Sequence, residues 1–258
     1  MKMDFFKPDN ALSFSIITAT YNRAKTIRRA LSSIKSQSYK NIQIIVIDGG
    51  STDGTIECLG DFLGNNDILL SEPDNGIYEA LNKGLALAKG DIVGFLHSDD
   101  ILLDSNVVSN IANILCDHEY DIVYGDAIFF DEGSIDKVTR VYRSKNLSVG
   151  NLAWGHMPAH TAMYMRRSVY QKVGFFDTTF KIAGDYDFLC RVVKIKGLKY
   201  LHIPKPFVRM QYGGASTLWR NRIRLNVEVL TALKKNGIYS NIFMVLSKYF
   251  TKIFDYIK

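Results

Sequence analysis

The chain has 258 residues, of which 47% are hydrophobic and 22% are charged, and its formal net charge is +6. This length and apolar content predict one large folded domain, or one and a half, and exclude a disordered chain. The three cysteines are isolated and lack CxxC spacing, which excludes a disulfide framework and a cysteine zinc site.

The first predicted unit is a strand over residues 14–19, a polar turn, and a helix whose apolar side chains recur from residue 27 to 34. The turn contains Thr20, Tyr21 and Asn22. Asn22 is a candidate N-cap of the helix, because its side chain can accept a backbone hydrogen bond there. Tyr21 is either an ordinary aromatic at an element boundary or a ring that stacks on a flat ligand.

A second buried strand over residues 42–47 ends in the loop from Asp48 to Gly54. The glycines of this loop let the backbone turn sharply and approach a ligand closely. Asp48 would place a carboxylate at the end of the strand. Taken alone, this loop is equally typical of an ordinary tight turn, so its function depends on the neighbouring motifs.

A third strand over residues 67–70 leads through a loop rich in Pro, Asn and Gly into a helix that starts at residue 77. The helical period predicts that Ile77, Leu81 and Gly84 share its buried face. Three strand-helix units in succession predict a parallel sheet with right-handed crossovers. The helix side chains left to face a ligand are Tyr78, Glu79, Asn82 and Lys83.

The apolar run over residues 91–96 and the polar cluster that ends it are the centre of the pattern. The run predicts a buried strand, so the cluster would lie at its carboxyl end, where open α/β sheets bind ligands. Asp99 and Asp100 are adjacent carboxylates, which repel each other unless a cation, a cap or water intervenes. They are therefore either turn and cap residues or ligands of a divalent cation. The cluster consists of His97, Ser98, Asp99 and Asp100.

Beyond residue 100 the pattern changes from alternating to meandering, which predicts an α+β second half. His160 lies in a polar loop and is as readily structural as functional. Asp185 lies at a predicted helix start, where capping of the helix competes with a catalytic role. After a helix from residue 107 to 115, the predicted strands cover residues 121–124, 127–130, 137–142 and 161–165.

Two amphipathic helices separated by Gly237 are predicted at the C-terminal end, where Lys and Arg are dense. Such helices can lie on an anionic membrane surface, or they can pack on the rest of the chain or on a second subunit. The sequence favours the two possibilities equally. Since the sequence shows neither a signal-peptide core nor an apolar run of about 18 residues, we expect a cytoplasmic protein. Peripheral attachment to the inner face of the cell membrane is the open alternative. The first apolar face comprises Trp219, Ile223, Val227 and Leu230, and the second comprises Ile242, Val245, Leu246, Tyr249, Phe250, Ile253, Phe254 and Ile257, with Lys248, Lys252 and Lys258 at its margins or on its polar side.

Five motifs in this order resemble those of the family 2 inverting glycosyltransferases with the GT-A fold. They begin at Thr20, Asp48, Asp74, His97 and Gly184, and the resemblance covers roughly residues 13–215. It implies an α/β fold in which a Rossmann-like half with a mostly parallel sheet merges with an α+β half. The nucleotide-sugar-binding half would be 13–100 and the acceptor-binding half 101–215, preceded by an extension over 1–12 and followed by a helical segment over 216–258.

The same resemblance implies roles for individual residues. Asp48 would lie near the base of the nucleotide, Asp99 and Asp100 would hold Mg²⁺ or Mn²⁺, and Asp185 would act as the general base. His160 is a candidate contact to the acceptor or the diphosphate. His97 and Gly184 depart from the family pattern, which has an Asp and a Glu at these positions in many members. The donor-site candidates are Thr20, Tyr21, Asn22, Asp48, Gly49, Ser51, Asp74, Asn75, Gly76, Tyr78, Asn82, Lys83, Ser98 and Asp99.

The implied activity is transfer of a sugar from a nucleoside diphosphate sugar, with UDP- or dTDP-sugars favoured, to a glycan acceptor. The acceptor would be lipid-linked, in bacterial surface polysaccharide synthesis of the O-antigen, capsule or colanic-acid type. Nucleic acid is not an expected partner, and an oligomer stays open. Two alternatives compete: a glycoside hydrolase that uses Asp185 with Asp99 or Asp100, and a noncatalytic sugar-nucleotide-binding module.

Overall fold

A computed structural model describes residues 11–117, 119–131, 133–213 and 221–252. The strands are β1 (Phe14–Thr20), β2 (Ile42–Asp48), β3 (Ile68–Ser71), β4 (Ile92–Phe95), β5 (Ile101–Leu102), β6 (Ile122–Asp131), β7 (Ser134–Tyr142), β8 (Met163–Arg166) and β9 (Tyr200–Gln211). The α-helices are α1 (Ile27–Lys35), α2 (Ile77–Leu87), α3 (Val107–Leu115), α4 (Val149–Ala153), α5 (Arg167–Val173), α6 (Gly184–Val192), α7 (Arg222–Lys235) and α8 (Ile242–Lys252).

The described strands form one nine-stranded sheet in the order β3-β2-β1-β4-β8-β6-β9-β5, with β7 paired to β6. In the first half, β1 pairs in parallel with β2 and β4, and β2 pairs in parallel with β3. This register places Thr20 opposite Asp48, and Asp48 opposite Ser71. The predicted α/β architecture with a parallel first half is confirmed, and three strand ends meet at one edge of the sheet.

The second half of the sheet is mixed. β8 runs antiparallel to β4 and β6, β7 runs antiparallel to β6, and β6 runs parallel to β9. β6 is one strand of ten residues, where two strands were predicted. Gly125 lies inside this strand and does not break it. The ring of Phe207 packs where a side chain of residue 125 would stand, 2.6 Å from the ideal Cβ position. The glycine therefore permits close packing within the strand.

Alternate side chains of the central strands belong to two apolar clusters on opposite faces of the sheet, as the two-residue period of a strand requires. One cluster contains Ile17 and Ile45, and the other contains Ile16 and Ile44. Burial of each such side chain contributes about 1.5–3 kcal/mol before entropy is counted. Val229 of α7 and Val245 of α8 belong to the same cluster as Ile17. The C-terminal helices are thus part of the packed core.

The predicted buried face of α2 is only partly right. Leu81 and Gly84 are buried, but Ile77 is 40% exposed and Tyr78 is buried in its place. Position 84 requires a glycine, because an ideal Cβ there would lie 2.4 Å from Cγ2 of Ile17 on β1. Ile77 lines a cavity, while the hydroxyl of Tyr78 lies 2.6 Å from the carbonyl oxygen of Ile182.

The predicted apolar faces of the C-terminal helices need correction. On α7, Ile223 and Val227 are exposed, because the packed face holds Val229, Ala232 and Leu233 instead. On α8, Val245 and Lys248 are buried while Ile242, Phe243 and Leu246 are exposed. Gly237 separates the helices at a positive φ of 65°. No described helix is long and apolar enough to cross a membrane. Trp219, Ile253, Phe254, Ile257 and Lys258 lie outside the described residues, and the side chain of Phe250 is also outside them.

Candidate active site

A cavity of about 750 Å³ opens at the carboxyl ends of β1 and β4 and is closed on the far side by α6, α7 and α8. This volume suits a ligand the size of a nucleotide sugar. The first and second halves of the chain both contribute to its walls. The sequence-predicted residues that line it are Thr20, Tyr21, Asp74, Gly76, Tyr78, Ser98, Asp99, Asp100, His160 and Asp185.

Other predicted residues lie outside the lining: Asn22, Asp48, Gly49, Ser51, Asn75, Asn82 and Lys83. Two of them point to neighbouring loops. The side chain of Asn82 donates to the carbonyl of Phe176 and accepts from its N–H. Lys83 makes ion pairs of 2.9 Å with Glu72 and 3.3 Å with Glu79. Asn82 and Lys83 therefore hold the loops around the cavity in place.

The carboxylate of Asp48 is fully buried and organises the loop that follows β2. It accepts hydrogen bonds from the backbone N–H groups of Gly50 and Ser51 at 3.0 and 2.9 Å, and from the hydroxyls of Ser51 and Ser71. Burial alone would raise the pKa of Asp48, but these donors outweigh it and the pKa lies below its ordinary value. Asp48 is thus an ionised group that joins the loop after β2 to the end of β3.

Asn22 does not cap α1, which begins at Ile27 after Thr26. Its backbone instead takes a positive φ of 51°, a conformation that Asn tolerates better than most residues. Its N–H donates to the hydroxyl of Ser51, and its side-chain oxygen accepts from the N–H of Thr52. The turn after β1 and the loop after β2 are therefore fastened together.

Asp99 and Asp100 lie in the cavity wall directly after β4. Asp100 is buried, and its Oδ1 accepts from the N–H of Gln211 at 3.3 Å, whereas its Oδ2 makes no hydrogen bond within the described residues. Burial, followed by the negative charge of Asp99, raises the pKa of Asp100 well above its ordinary value. A buried carboxylate oxygen without a donor, next to a second carboxylate, is the environment that a hard divalent cation would compensate.

Two histidines stand beside this pair. The ring of His160 stacks on Phe95 at 4.7 Å between centroids and lies 6.2 Å from the ring of His97. Burial, with a smaller contribution from His97, lowers the pKa of His160 to about 3. Burial also lowers the pKa of His97, against the opposing charge of Asp99. His160 is therefore a neutral group that can exchange hydrogen bonds but carries no positive charge.

Asp185 lies in the first turn of α6, partly buried in the cavity wall. Its Oδ1 accepts from the N–H of Tyr186 at 2.8 Å and from the hydroxyl of Tyr78 at 3.2 Å. Burial raises the pKa of Asp185 to about 6, although both hydrogen bonds oppose the increase. A carboxylate with this pKa can take up a proton near neutral pH.

The ring of Tyr78 also explains why residue 184 is a glycine. An ideal Cβ at this position would lie 2.8 Å from the ring of Tyr78, so any side chain would displace the ring. The hydroxyl of that ring lies 2.6 Å from the carbonyl of Ile182 and 3.2 Å from Asp185. The departure from the family pattern at Gly184 therefore accompanies the packing of Tyr78 against the start of α6.

No motif of the sequence points to Glu228, which lies on α7. Its carboxylate accepts from the N–H groups of Lys181, Ile182 and Ala183 at 2.8 to 3.2 Å. Burial would raise the pKa of Glu228, but these hydrogen bonds and one from Arg224 hold it below the ordinary value. Glu228 is thus an ionised anchor for the turn that precedes Asp185. A glutamate on an exposed helical pattern carries no local signal for this role.

Sequence comparison finds relatives along most of the chain. Residues 15–174 match the model of glycosyl transferase family 2. A PGL/p-HBAD biosynthesis glycosyltransferase of Mycobacterium bovis is 30% identical over 200 residues, which cover 74% of this chain and 74% of the relative. An uncharacterized glycosyltransferase of Rickettsia prowazekii is 28% identical over 259 residues, which cover 98% of this chain and 76% of the relative.

Two solved structures share the fold. S. aureus TarS 1-349 in complex with UDP-GlcNAc aligns with a TM-score of 0.65 at 18% identity, over 86% of this chain and 66% of that one. The mannosyltransferase PcManGT from Pyrobaculum calidifontis in complex with GDP-Man and Mn²⁺ aligns with a TM-score of 0.66 at 21% identity, over 91% of this chain and 69% of that one. The chain thus spans about two thirds of the length of these structures, and the predicted GT-A fold is confirmed.

Proposed function

The chain belongs to glycosyl transferase family 2 and is a glycosyltransferase, and we propose that it transfers a sugar with inversion from a nucleoside diphosphate sugar to a hydroxyl group of a glycan. The observation that carries this proposal is the position of Asp185. Its carboxylate, with a pKa near 6, lines the same cavity as the Asp99–Asp100 pair. A base and an acidic pair in one cleft are what a single displacement at a sugar diphosphate needs.

In this mechanism Asp185 takes the proton of the acceptor hydroxyl as its oxygen attacks the anomeric carbon. The new carbon–oxygen bond forms on the face opposite the diphosphate, and the bond from the anomeric carbon to the phosphate oxygen breaks. The nucleoside diphosphate leaves with the bonding electrons. A positioned carboxylate contributes about 10²- to 10⁴-fold in rate. No covalent intermediate is formed, so inversion at the anomeric carbon follows.

Asp99 and Asp100 would hold a divalent cation, with Mg²⁺ and Mn²⁺ suited to their oxygen ligands. The cation would offset the negative charge that develops on the leaving diphosphate. The described residues contain no cluster of three or more acidic, His or Cys side chains able to hold a metal. Two carboxylates are nevertheless enough where substrate phosphates and water supply the remaining oxygens.

The donor is proposed to be a UDP- or dTDP-sugar, and this is supported by TarS, whose structures contain UDP-GlcNAc and UDP. PcManGT, in contrast, is seen with GDP-Man. Thr20, Tyr21, Asp74, Gly76, Tyr78 and Ser98 line the cavity where the first half of the chain forms its wall. These six and Asp99, which also lines the cavity, remain our donor-contact candidates, and His160 is a neutral candidate contact to the acceptor or the diphosphate.

The acceptor is proposed to be lipid-linked, in bacterial surface polysaccharide synthesis. The support is the surface of the C-terminal helices, where Ile223, Val227 and Phe243 are 76%, 56% and 82% exposed. Lys234 is exposed at the end of α7, and the neighbouring Lys235 is paired with Asp177. Exposed apolar side chains and an exposed lysine on the same pair of helices suit the surface of an anionic membrane, where a nearby lysine contributes about 1 kcal/mol. Such attachment would bring the cleft close to a lipid-linked sugar.

The test is a screen of nucleotide sugars for metal-dependent release of nucleoside diphosphate, with mass spectrometry of any glycan product. We expect release from one or a few UDP- or dTDP-sugars, and loss of release in Asp185→Asn. Release of free sugar from an oligosaccharide without any nucleotide would instead support the hydrolase alternative. Full activity of Asp185→Asn would overturn the proposed base.

A further inference from the structure

Three cations line the part of the cavity wall that β7, α7 and α8 build. They are Arg140 on β7, Arg222 on α7 and Lys248 on α8. These three side chains form a basic wall. The carboxylates among the described lining residues belong to other elements and loops: Asp74, Asp99, Asp100 and Asp185. The cavity is therefore divided into an acidic catalytic part and a basic part.

Arg140 and Lys248 border the same loop of the cavity wall. The guanidinium of Arg140 lies 5.6 Å from the ring centre of Tyr142, whose hydroxyl donates to the carbonyl of Met157 at 2.7 Å. Two residues before Met157, a Cβ on Gly155 would lie 3.1 Å from Cδ of Lys248. The bare Cα of Gly155, at a positive φ of 75°, therefore lets α8 approach this loop. The two cations are thus joined through one short loop that also lines the cavity.

Aromatic rings hold these cations in place. Arg140 is 6% exposed, and its guanidinium lies 5.0 Å from the ring centre of Phe129. Lys248 is 4% exposed, and its ammonium lies 5.4 Å from the ring centre of Tyr249. The guanidinium of Arg222 lies 6.0 Å from the same ring. Such contacts keep positive charge in a place with little water, where its attraction for an anion is stronger than in bulk water.

The basic wall suits a phosphate better than a carboxylate. A guanidinium presents a planar fork that matches two oxygens, and an ammonium acts as a point charge beside a phosphate. A phosphate monoester carries a charge of about −1.5 to −2 at neutral pH and three acceptor oxygens. It can therefore meet cations from three elements at once, whereas a carboxylate has one charge and two oxygens in one plane.

In the proposed mechanism the donor diphosphate lies at the cation held by Asp99 and Asp100, so the basic wall is left to the second substrate. Building on that proposed function, we infer that Arg140, Arg222 and Lys248 bind a phosphate group of the acceptor. The acceptor is then a phosphorylated molecule. Its phosphate belongs to a lipid carrier or to the glycan itself, and both present the same group to the basic wall.

Binding of phosphate esters tests this inference without knowledge of the sugar or the glycan. Geranyl phosphate, geraniol and glucose 1-phosphate are titrated by calorimetry into the full chain saturated with UDP and Mn²⁺, so that the donor site is already filled. We expect geranyl phosphate to bind about tenfold more tightly than geraniol, or better. Arg140→Met and Lys248→Met should each weaken this binding about tenfold and leave the affinity for UDP unchanged. Lys196→Met, which removes an exposed lysine outside the cavity lining, should bind like the wild type.

Two further variants separate binding from folding. Arg140→Lys keeps the charge and should recover part of the affinity that Arg140→Met loses. Arg222 is exposed, so Arg222→Met leaves the core intact and should weaken binding of geranyl phosphate about threefold or more. This variant provides the test even if the two buried positions do not tolerate methionine.

The tighter of the two phosphate esters identifies the source of the phosphate. Tighter binding of geranyl phosphate assigns it to a lipid carrier, and tighter binding of glucose 1-phosphate assigns it to a glycan; both support the site. Equal affinities for geranyl phosphate and geraniol, unchanged affinities in the three methionine variants, or a parallel loss of UDP affinity would each overturn the inference. A chain that binds UDP but no phosphate ester contradicts this inference alone, and one that binds geranyl phosphate but no nucleoside diphosphate contradicts the proposed function.

Discussion

The hydroxyl of Tyr78 lies 3.2 Å from Oδ1 of Asp185, which joins two residues that are 107 positions apart in the chain. Tyr78 belongs to α2 of the first half and Asp185 to α6 of the second. The proposed base is therefore held by a side chain of the proposed nucleotide-binding half. Because the two halves meet through this contact, a change in one half can alter the proton affinity of the other.

Replacement of Asp185 by Asn should lower turnover about 10²- to 10⁴-fold while UDP affinity stays the same. The amide keeps the shape of the side chain and can still accept from Tyr186, but it is no longer basic. Steady-state kinetics and calorimetric titration of UDP provide the two readouts. A loss of UDP binding equal to the loss of turnover would show that Asp185 supports the fold of the cleft instead.

The same variant should show a pH-dependent gain in stability. The raised pKa means that the wild-type chain loses stability as pH rises from about 4 through 6, where the buried carboxyl ionises. Asp185→Asn removes this loss, so its melting temperature should exceed that of the wild type by more at pH 8 than at pH 5. A difference between the two chains that does not vary with pH would contradict the raised pKa.

Wild-type activity should increase with pH along a limb centred near pH 6, where Asp185 loses its proton. The hydrogen bond from Tyr78 lowers the pKa of Asp185, so Tyr78→Phe should move this limb to higher pH. The profile of kcat/KM against pH measures the shift. Tyr239→Phe is the control, because Tyr239 is 81% exposed and lies outside the cavity. A limb at the same pH in both variants would exclude the proposed coupling.

Turnover should depend on a divalent cation held by Asp99 and Asp100. We expect excess chelator to abolish diphosphate release, and Asp99→Asn and Asp100→Asn to raise the Mn²⁺ concentration needed for half-maximal activity at least tenfold. Asp104→Asn is the matched control, since Asp104 is an exposed residue a few positions further on. Normal activity of both variants in chelator would rule out the cation.

Glu228 should act as a positioning residue for the turn before Asp185. Glu228→Ala leaves three backbone N–H groups without their acceptor, which should cost about 1–3 kcal/mol in the free energy of unfolding. We expect a loss of kcat of about tenfold or more with unchanged UDP affinity, and partial recovery in Glu228→Gln. Arg224→Ala, which removes only the outer partner of Glu228, should remain near wild type. An equal effect of the Arg224 variant would contradict this role.

Membrane attachment should depend on the exposed apolar side chains of the C-terminal helices. Phe243→Glu should abolish salt-sensitive pelleting with anionic liposomes while the chain stays folded. Point variants suit this test better than deletion of α8, because Val245 of that helix belongs to the core. Val149→Glu, at a 46% exposed position on α4, is the control. Equal pelleting of both variants and the wild type would remove the membrane role.

The sequence predicted the first half of the fold well because its signals are local. Buried strands such as β1 and β2 are continuous apolar runs, and Gly- and Asp-rich turns follow them directly. Parallel pairing then brings their ends together by geometry alone. For this reason the sequence alone predicts that Thr20, Asp99 and Asp100 lie at the same carboxyl end of the sheet.

The remaining features depend on contacts between distant residues. A helical period predicts that α8 is amphipathic, but only tertiary packing determines that Val245 is buried and Phe243 exposed. The partnership of Glu228 with the turn before Asp185 spans more than forty residues and has no local pattern.

The placement of α7 and α8 has a consequence for biosynthesis. Lining residues of the cleft extend from Ala19 to Tyr249, so the first strand and the last described helix build the same cavity. During translation, the sheet of the first half can pair long before α8 leaves the ribosome. A nascent chain at that stage exposes the apolar surface that Val245 later covers. This surface therefore needs protection from aggregation until α8 has been synthesised, and the cleft closes only then.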